Sequence, residues 1–64
     1  MKYRDLIKLL ETNGWYLHRH GKTSHMIFRH PTRPGSIVIA GVGKLGRDVP
    51  TGTETAILRQ AGLR

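Results

Sequence analysis

Trp15-Tyr16-Leu17-His18-Arg19-His20-Gly21-Lys22-Thr23-Ser24-His25-Met26-Ile27-Phe28-Arg29 is the stretch on which the fold turns. Its apolar residues recur at every second position, with Trp15 and Leu17 before the glycine and Met26 and Phe28 after it, and a period of two marks half-buried strands. Directly opposed residues of an antiparallel pair share a face, so a loop of two or four residues brings these four side chains together and a loop of three does not. Gly21-Lys22 is the expected loop, because glycine suits the first central position of a type II′ turn. In that register Trp15 opposes Phe28, Leu17 opposes Met26 and His18 opposes His25. The other face then carries Tyr16, His18, His20, His25 and Arg29, with Ile27 among them.

Upstream of the hairpin, residues 2–13 read as a helix: Tyr3, Leu6, Ile7 and Leu10 fall at i, i+3, i+4 and i+7, with Leu9 widening the stripe. Gly14 suits the left-handed position just past the helix, and Trp15 follows where a Schellman ending returns an apolar residue to Leu10. Downstream, residues 30–35 form a proline and glycine turn, and Ser36 to Ala40 is a third, β-branched strand. Residues 41–50 read as an irregular glycine-rich loop. A last helix opens near Thr51, where Thr51-Gly52-Thr53-Glu54 fits a capping box, and runs to about Ala61, with Gly62 and Leu63 repeating the ending of the first helix. The expectation is an α+β fold of order α-β-β-β-α, one domain over residues 1–64, with a three-stranded antiparallel meander and both helices on one face. Burying the Trp15 side leaves the histidine side open to solvent.

At 64 residues the chain has room for one core and no cleft between lobes. A core of this size rarely supplies more than about 3–5 kcal/mol, and with no cysteine in the sequence disulfides cannot add to it. The lack of cysteine fits a reducing cytoplasm, and no apolar run approaches the roughly 18 residues of a membrane span. No signal-peptide pattern follows Met1, so the chain reads as soluble, cytoplasmic and without a membrane partner. Eleven Lys and Arg against four Asp and Glu give a formal charge of +7, a field that attracts polyanions. Nucleic acid and an acidic protein both fit that field, and so does a basic surface that only keeps the chain in solution. An amphipathic membrane helix fits poorly, because neither helix joins a Lys/Arg-rich face to a wide apolar one.

Two glycine motifs fail on context. Gly41-Val42-Gly43-Lys44-Leu45-Gly46 matches G-x-G-x-x-G after a strand, but too little chain follows for the βαβ unit a dinucleotide site needs. Gly21-Lys22-Thr23 resembles the end of a phosphate loop, yet Tyr16 stands where its first glycine belongs. Of the four histidines, His18, His20 and His25 share the open face in the expected register. Zinc is disfavoured there, since no Asp or Glu lies nearby in sequence to orient the rings, and no metal or cofactor is assigned. An imidazole changes charge near neutral pH, which suits moving protons to or from a ribose 2′-hydroxyl.

Three features resemble the HicA-type family of mRNA interferase toxins: a short helix ending in Gly14-Trp15, the segment Ser24-His25-Met26-Ile27-Phe28, and the closing stretch Pro50-Thr51-Gly52-Thr53 through Arg59-Gln60-Ala61-Gly62-Leu63. The resemblance spans essentially the whole chain and implies a double-stranded-RNA-binding-like fold, a catalytic histidine carried over to His25, and neutralisation by a HicB-type antitoxin. Thr23 stands where the family pattern has glycine before Ser-His. The expectation is therefore a toxin that cleaves mRNA without a metal. His25 would be general base or acid, Lys22, Arg29 and Lys44 would meet phosphates, and Tyr16 would stack on an unpaired base. His18 or His20 would take a second proton-transfer role. The amides near Gly52 and Thr53 offer a phosphate seat, which Glu54 in the same turn opposes, so that helix start is read as structural. The competing readings are a non-catalytic RNA-binding module and an adaptor for an acidic protein.

Overall fold

The computed structural model describes residues 1–21, 25–40, 43 and 45–64. Helix α1 (Tyr3–Thr12) buries Tyr3, Leu6 and Leu10, with Ile7 partly covered, which is the apolar stripe read from the sequence. Its end is a Schellman motif: Gly14 adopts φ 93°, its N–H donates to Glu11 O at 3.1 Å, and the Trp15 N–H donates to Leu10 O at 3.0 Å. That turn swings the indole into the core. Helix α2 (Thr51–Gln60) ends in the same way, with Gly62 at φ 75°, its N–H on Arg59 O at 3.0 Å and the Leu63 N–H on Leu58 O at 2.9 Å.

The start of α2 departs from the expected capping box. Pro50 is the N-cap and Thr51 the first helical residue, so the threonine hydroxyl is not placed to cap, and no side chain caps this end. Glu54 turns instead to the Met1 ammonium, with Oε1 3.0 Å from the nitrogen, an ion pair in place of a carboxylate bond to a backbone N–H. Met1 belongs to a wider clamp. Tyr3 and Arg4 donate their N–H groups, which the first turn of α1 leaves without helical partners, to Arg47 O and Leu45 O, both at 3.0 Å. Val49 N–H donates to Met1 O at 2.8 Å, and Lys2 bridges to Asp48 in antiparallel fashion. The segment 45–49, expected to be irregular, is thus tied to the start of the chain.

Strands β1 (Tyr16–His20), β2 (Met26–Arg29) and β3 (Ile37–Ile39) form an antiparallel sheet in the order β1-β2-β3. Phe28 opposes Ile37 and Met26 opposes Ile39, so these four share a face. That face meets α1 and α2 in one cluster with Trp15, Val49, Ile57 and Ala61, so both helices lie on the same side of the sheet. The architecture is the α-β-β-β-α α+β fold expected.

The register of the hairpin differs from the expectation. Leu17 opposes Phe28 rather than Met26, and Tyr16 opposes Arg29. A bulge between Leu17 and Arg19 leaves His18 without a partner, after which Arg19 opposes Ile27 and His20 opposes Met26. Gly21 donates its N–H to His25 O at 3.0 Å, so pairing runs on to Gly21 and His25 and Gly21-Lys22 is not the two-residue loop. Lys22, Thr23 and Ser24, between them, lie outside the described residues. The bulge is what lets Leu17 oppose Phe28 across three intervening residues, because one extra residue in β1 restores the parity that an odd spacing breaks; at the sheet edge Leu17 itself stays 38% exposed.

Candidate functional site

The face of the sheet turned away from the helices is open. Along β3 the side chains alternate between buried Ile37, Val38 at 52% exposure, and buried Ile39, while Tyr16 on β1 is 47% exposed. His25, Ile27 and Arg29 follow one another on this face at every second position, Val38 opposes Ile27, and Tyr16 opposes Arg29. His25 is half-buried and Arg29 is exposed. Of the residues assigned to the site from the sequence, Tyr16, His25 and Arg29 are thus brought to one surface. Strand rise puts His25 about 13 Å from Arg29 along β2. Lys22 and Lys44 lie outside the described residues.

The histidine cluster does not form. The bulge places His20 opposite Met26, on the helix side of the sheet, and leaves His18 unpaired, so neither stands across from His25. The three-histidine arrangement and a second proton-transfer role for His20 both depended on the unbulged register. Among the described residues no three His, Asp or Glu side chains converge in a way that would hold a metal ion, and no enclosed pocket is present.

The same register change brings forward a residue that the sequence reading left on the buried side. Arg19 opposes Ile27 and therefore shares the open face with His25, at a cross-strand diagonal of about 7–8 Å. Alternation counted from Trp15 puts Arg19 with the core residues, and only the extra residue at His18 reverses it. A basic residue on the core side of an otherwise apolar alternation was the signal available.

Charge on this face is uncompensated by its own strands. Residues 15–40 contain no Asp or Glu, and the acids of the chain are Asp5 and Glu11 in α1, Asp48 before α2 and Glu54 within it. Glu54 is paired with the Met1 ammonium, and Asp48 lies 3.9 Å from Lys2 Nζ. A surface with Arg and His on it and no carboxylate carries a field that attracts anions.

The fourth histidine is structural. His30 Nδ1 lies 3.1 Å from Thr32 N and 3.2 Å from Arg33 N, and Nε2 lies 3.0 Å from Asn13 O. Two backbone N–H groups aimed at Nδ1 put the ring proton on Nε2, which donates to the Asn13 carbonyl. The ring meets Trp15 edge-on, with centroids 5.1 Å apart. His30 thus locks the turn after β2 to the end of α1 and faces away from the open surface.

A protein-family model described as the HicA toxin of bacterial toxin-antitoxin matches residues 3–63. The chain belongs to the HicA toxin family. Membership makes it the toxin of a toxin-antitoxin system and implies an antitoxin partner. The match covers both helices and the whole sheet, so the open face with His25 lies within the HicA region. Among curated proteins no relative matches the chain. No helix of the described residues is long and apolar enough to cross a membrane.

Proposed function

We propose that this HicA-family toxin is an endoribonuclease that cleaves mRNA, with His25 moving the proton, and that a HicB-type antitoxin neutralises it. The observation that carries the reading is a half-buried imidazole on the open face of a sheet whose strands hold no carboxylate, with Arg29 and Tyr16 on the same face. RNA brings its own nucleophile, the ribose 2′-hydroxyl, so the chemistry calls for neither a metal nor a cysteine. The 2′-oxygen forms a bond to the adjacent phosphorus and the bond to the 5′-oxygen breaks. One proton leaves the 2′-hydroxyl and one reaches the 5′-oxygen, which leaves a 2′,3′-cyclic phosphate and a free 5′-hydroxyl. His25 acts as general base or general acid in this exchange. Arg29, together with Lys22 and Lys44, meets neighbouring phosphates, which supply most sequence-independent affinity. Tyr16 offers a flat surface on which an unpaired base stacks.

The decisive experiment is RNA cleavage by purified wild-type and His25→Ala protein, run in the presence of a chelator. The expected result is a loss of about 10²–10⁴-fold in rate, the usual contribution of a general acid or base, with an unchanged melting temperature. Wild-type cleavage by the variant removes His25 from the mechanism. RNA binding without cleavage by the wild type leaves a non-catalytic binding module, and absence of RNA affinity at low salt leaves an adaptor for an acidic protein.

A further inference from the structure

We propose that Arg19 holds the scissile phosphate of the RNA beside His25, over a gap that Gly21 leaves in β1. The inference rests on the nuclease reading above and names a residue and a substrate contact within the same site.

Three independent features of the hairpin converge on this arrangement. The bulge at His18 carries Arg19 to the open face, one pairing step from His25 on the neighbouring strand. Bulges recur beside active sites because one extra residue re-aims the side chains that follow it. Gly21 pairs with His25, and a Cβ on Gly21 would stand 3.1 Å from His25 Cβ, 3.4 Å from Ile27 Cδ1 and 3.9 Å from His25 Nδ1. A side chain there would press on His25 Cβ, so glycine adds none of its own to that flank of the imidazole, which Ile27 Cδ1 borders. Finally, no carboxylate on any of the three strands competes for the guanidinium.

The chemistry matches the span. A diagonal of about 7–8 Å between neighbouring strands is bridged when two side chains reach toward one phosphodiester lying between them. A guanidinium donates two parallel N–H groups to the non-bridging oxygens of a phosphate. As the 2′-oxygen attacks, negative charge builds on those oxygens, and a fixed cation there is worth more in the transition state than in the ground state. Arg19 thus steadies the phosphorus centre while His25 handles the proton.

The test uses the full chain and a short single-stranded RNA, comparing wild type with Arg19→Ala, Arg19→Gln, Arg19→Lys, Gly21→Ala, His20→Ala and His25→Ala, each checked by thermal melting. Arg19→Ala and Arg19→Gln are expected to lower kcat on the order of 10²-fold, as loss of one charge-stabilising donor does. They are also expected to reduce the slope of log affinity against log salt by about one, the signature of one lost phosphate contact. Arg19→Lys recovers part of the rate, Gly21→Ala lowers it by crowding His25, and His20→Ala leaves it unchanged. If His25→Ala is inactive while both neutral Arg19 variants keep wild-type kcat and salt slope, the Arg19 assignment is overturned and the nuclease reading survives. If His20→Ala carries the loss in place of Arg19, the bulged register is not the working one and the assignment is again overturned. Wild-type cleavage by His25→Ala takes down the nuclease reading itself. A rate loss in Arg19→Ala accompanied by early melting, with Arg19→Gln stable and fully active, assigns Arg19 a structural role and overturns the proposal.

Discussion

The two faces of the three-stranded sheet differ both in burial and in the kind of side chain they carry. On the helix side, Phe28, Ile37 and Ile39 are buried to 1% exposure or less and meet Leu6, Leu10 and Trp15. On the other side, Tyr16, Arg19, His25, Ile27, Arg29 and Val38 form a surface that no element of the described chain covers. The period of two sorts neighbours along a strand into one face or the other, so a single residue decides whether a substitution is felt as stability or as function. The buried face holds the fold together, and the open face carries cationic side chains with no carboxylate on its strands.

That division is open to direct attack. The largest effect is expected from Phe28→Ala, since deleting a buried aromatic costs about 3–5 kcal/mol. A core this small supplies about that much in total, so the cooperative thermal transition should disappear from circular dichroism. A melting curve like that of the wild type would mean the helix-side face is not what holds the domain together. Next in size is Gly14→Ala. Its φ of 93° costs a side-chain-bearing residue about 1–2 kcal/mol. The added Cβ would also stand 2.6 Å from His30 Nε2, on the ring that locks the β2–β3 turn to α1. Urea unfolding should show the loss, and His30→Ala in the same background should then cost less than it does in the wild type. The smallest effect on stability belongs to Val38→Glu on the open face, expected to stay within about 1 kcal/mol. Its effect on RNA is the sharper measurement: a carboxylate on a surface that has none should weaken binding at low salt, and the difference should close as salt rises. Equal affinity at low salt would show that RNA does not use this face.

Both helix endings were legible because they are local. Gly14-Trp15 and Gly62-Leu63 each place glycine where the left-handed conformation is needed and an apolar residue one step later, and each makes its hydrogen bonds within six residues of chain. The three strands and the inward-facing Met26 and Phe28 followed from alternation and turn signals, while the burial of Ile37 and Ile39 came from their pairing with those two residues. His25, Arg29 and Tyr16 were placed on one face for the same reason. What local pattern does not carry is a bulge. With unbroken pairing, parity allows a loop of two or four residues and not one of three. The extra residue at His18 sets Leu17 opposite Phe28 by another route, which moved His20 off the open face and Arg19 onto it. Glu54 was misjudged, and the lock made by His30 was not foreseen, for a related reason: their partners, Met1 and Asn13, come from distant parts of the chain.

Composition and periodicity by themselves determined the element order, the inward faces of the first helix and of the hairpin, the two glycine-ended helices and a positive charge with no acid between Trp15 and Ala40. These are properties of neighbours along the chain, where backbone sterics and side-chain spacing act over a few residues. Tertiary structure alone decided the register of β1 against β2, the use of His30 as a lock, and the clamp between the start of the chain and residues 45–49. Each of these is a choice among hydrogen-bond partners far apart in sequence, and the one that wins is the one that leaves the buried face complete.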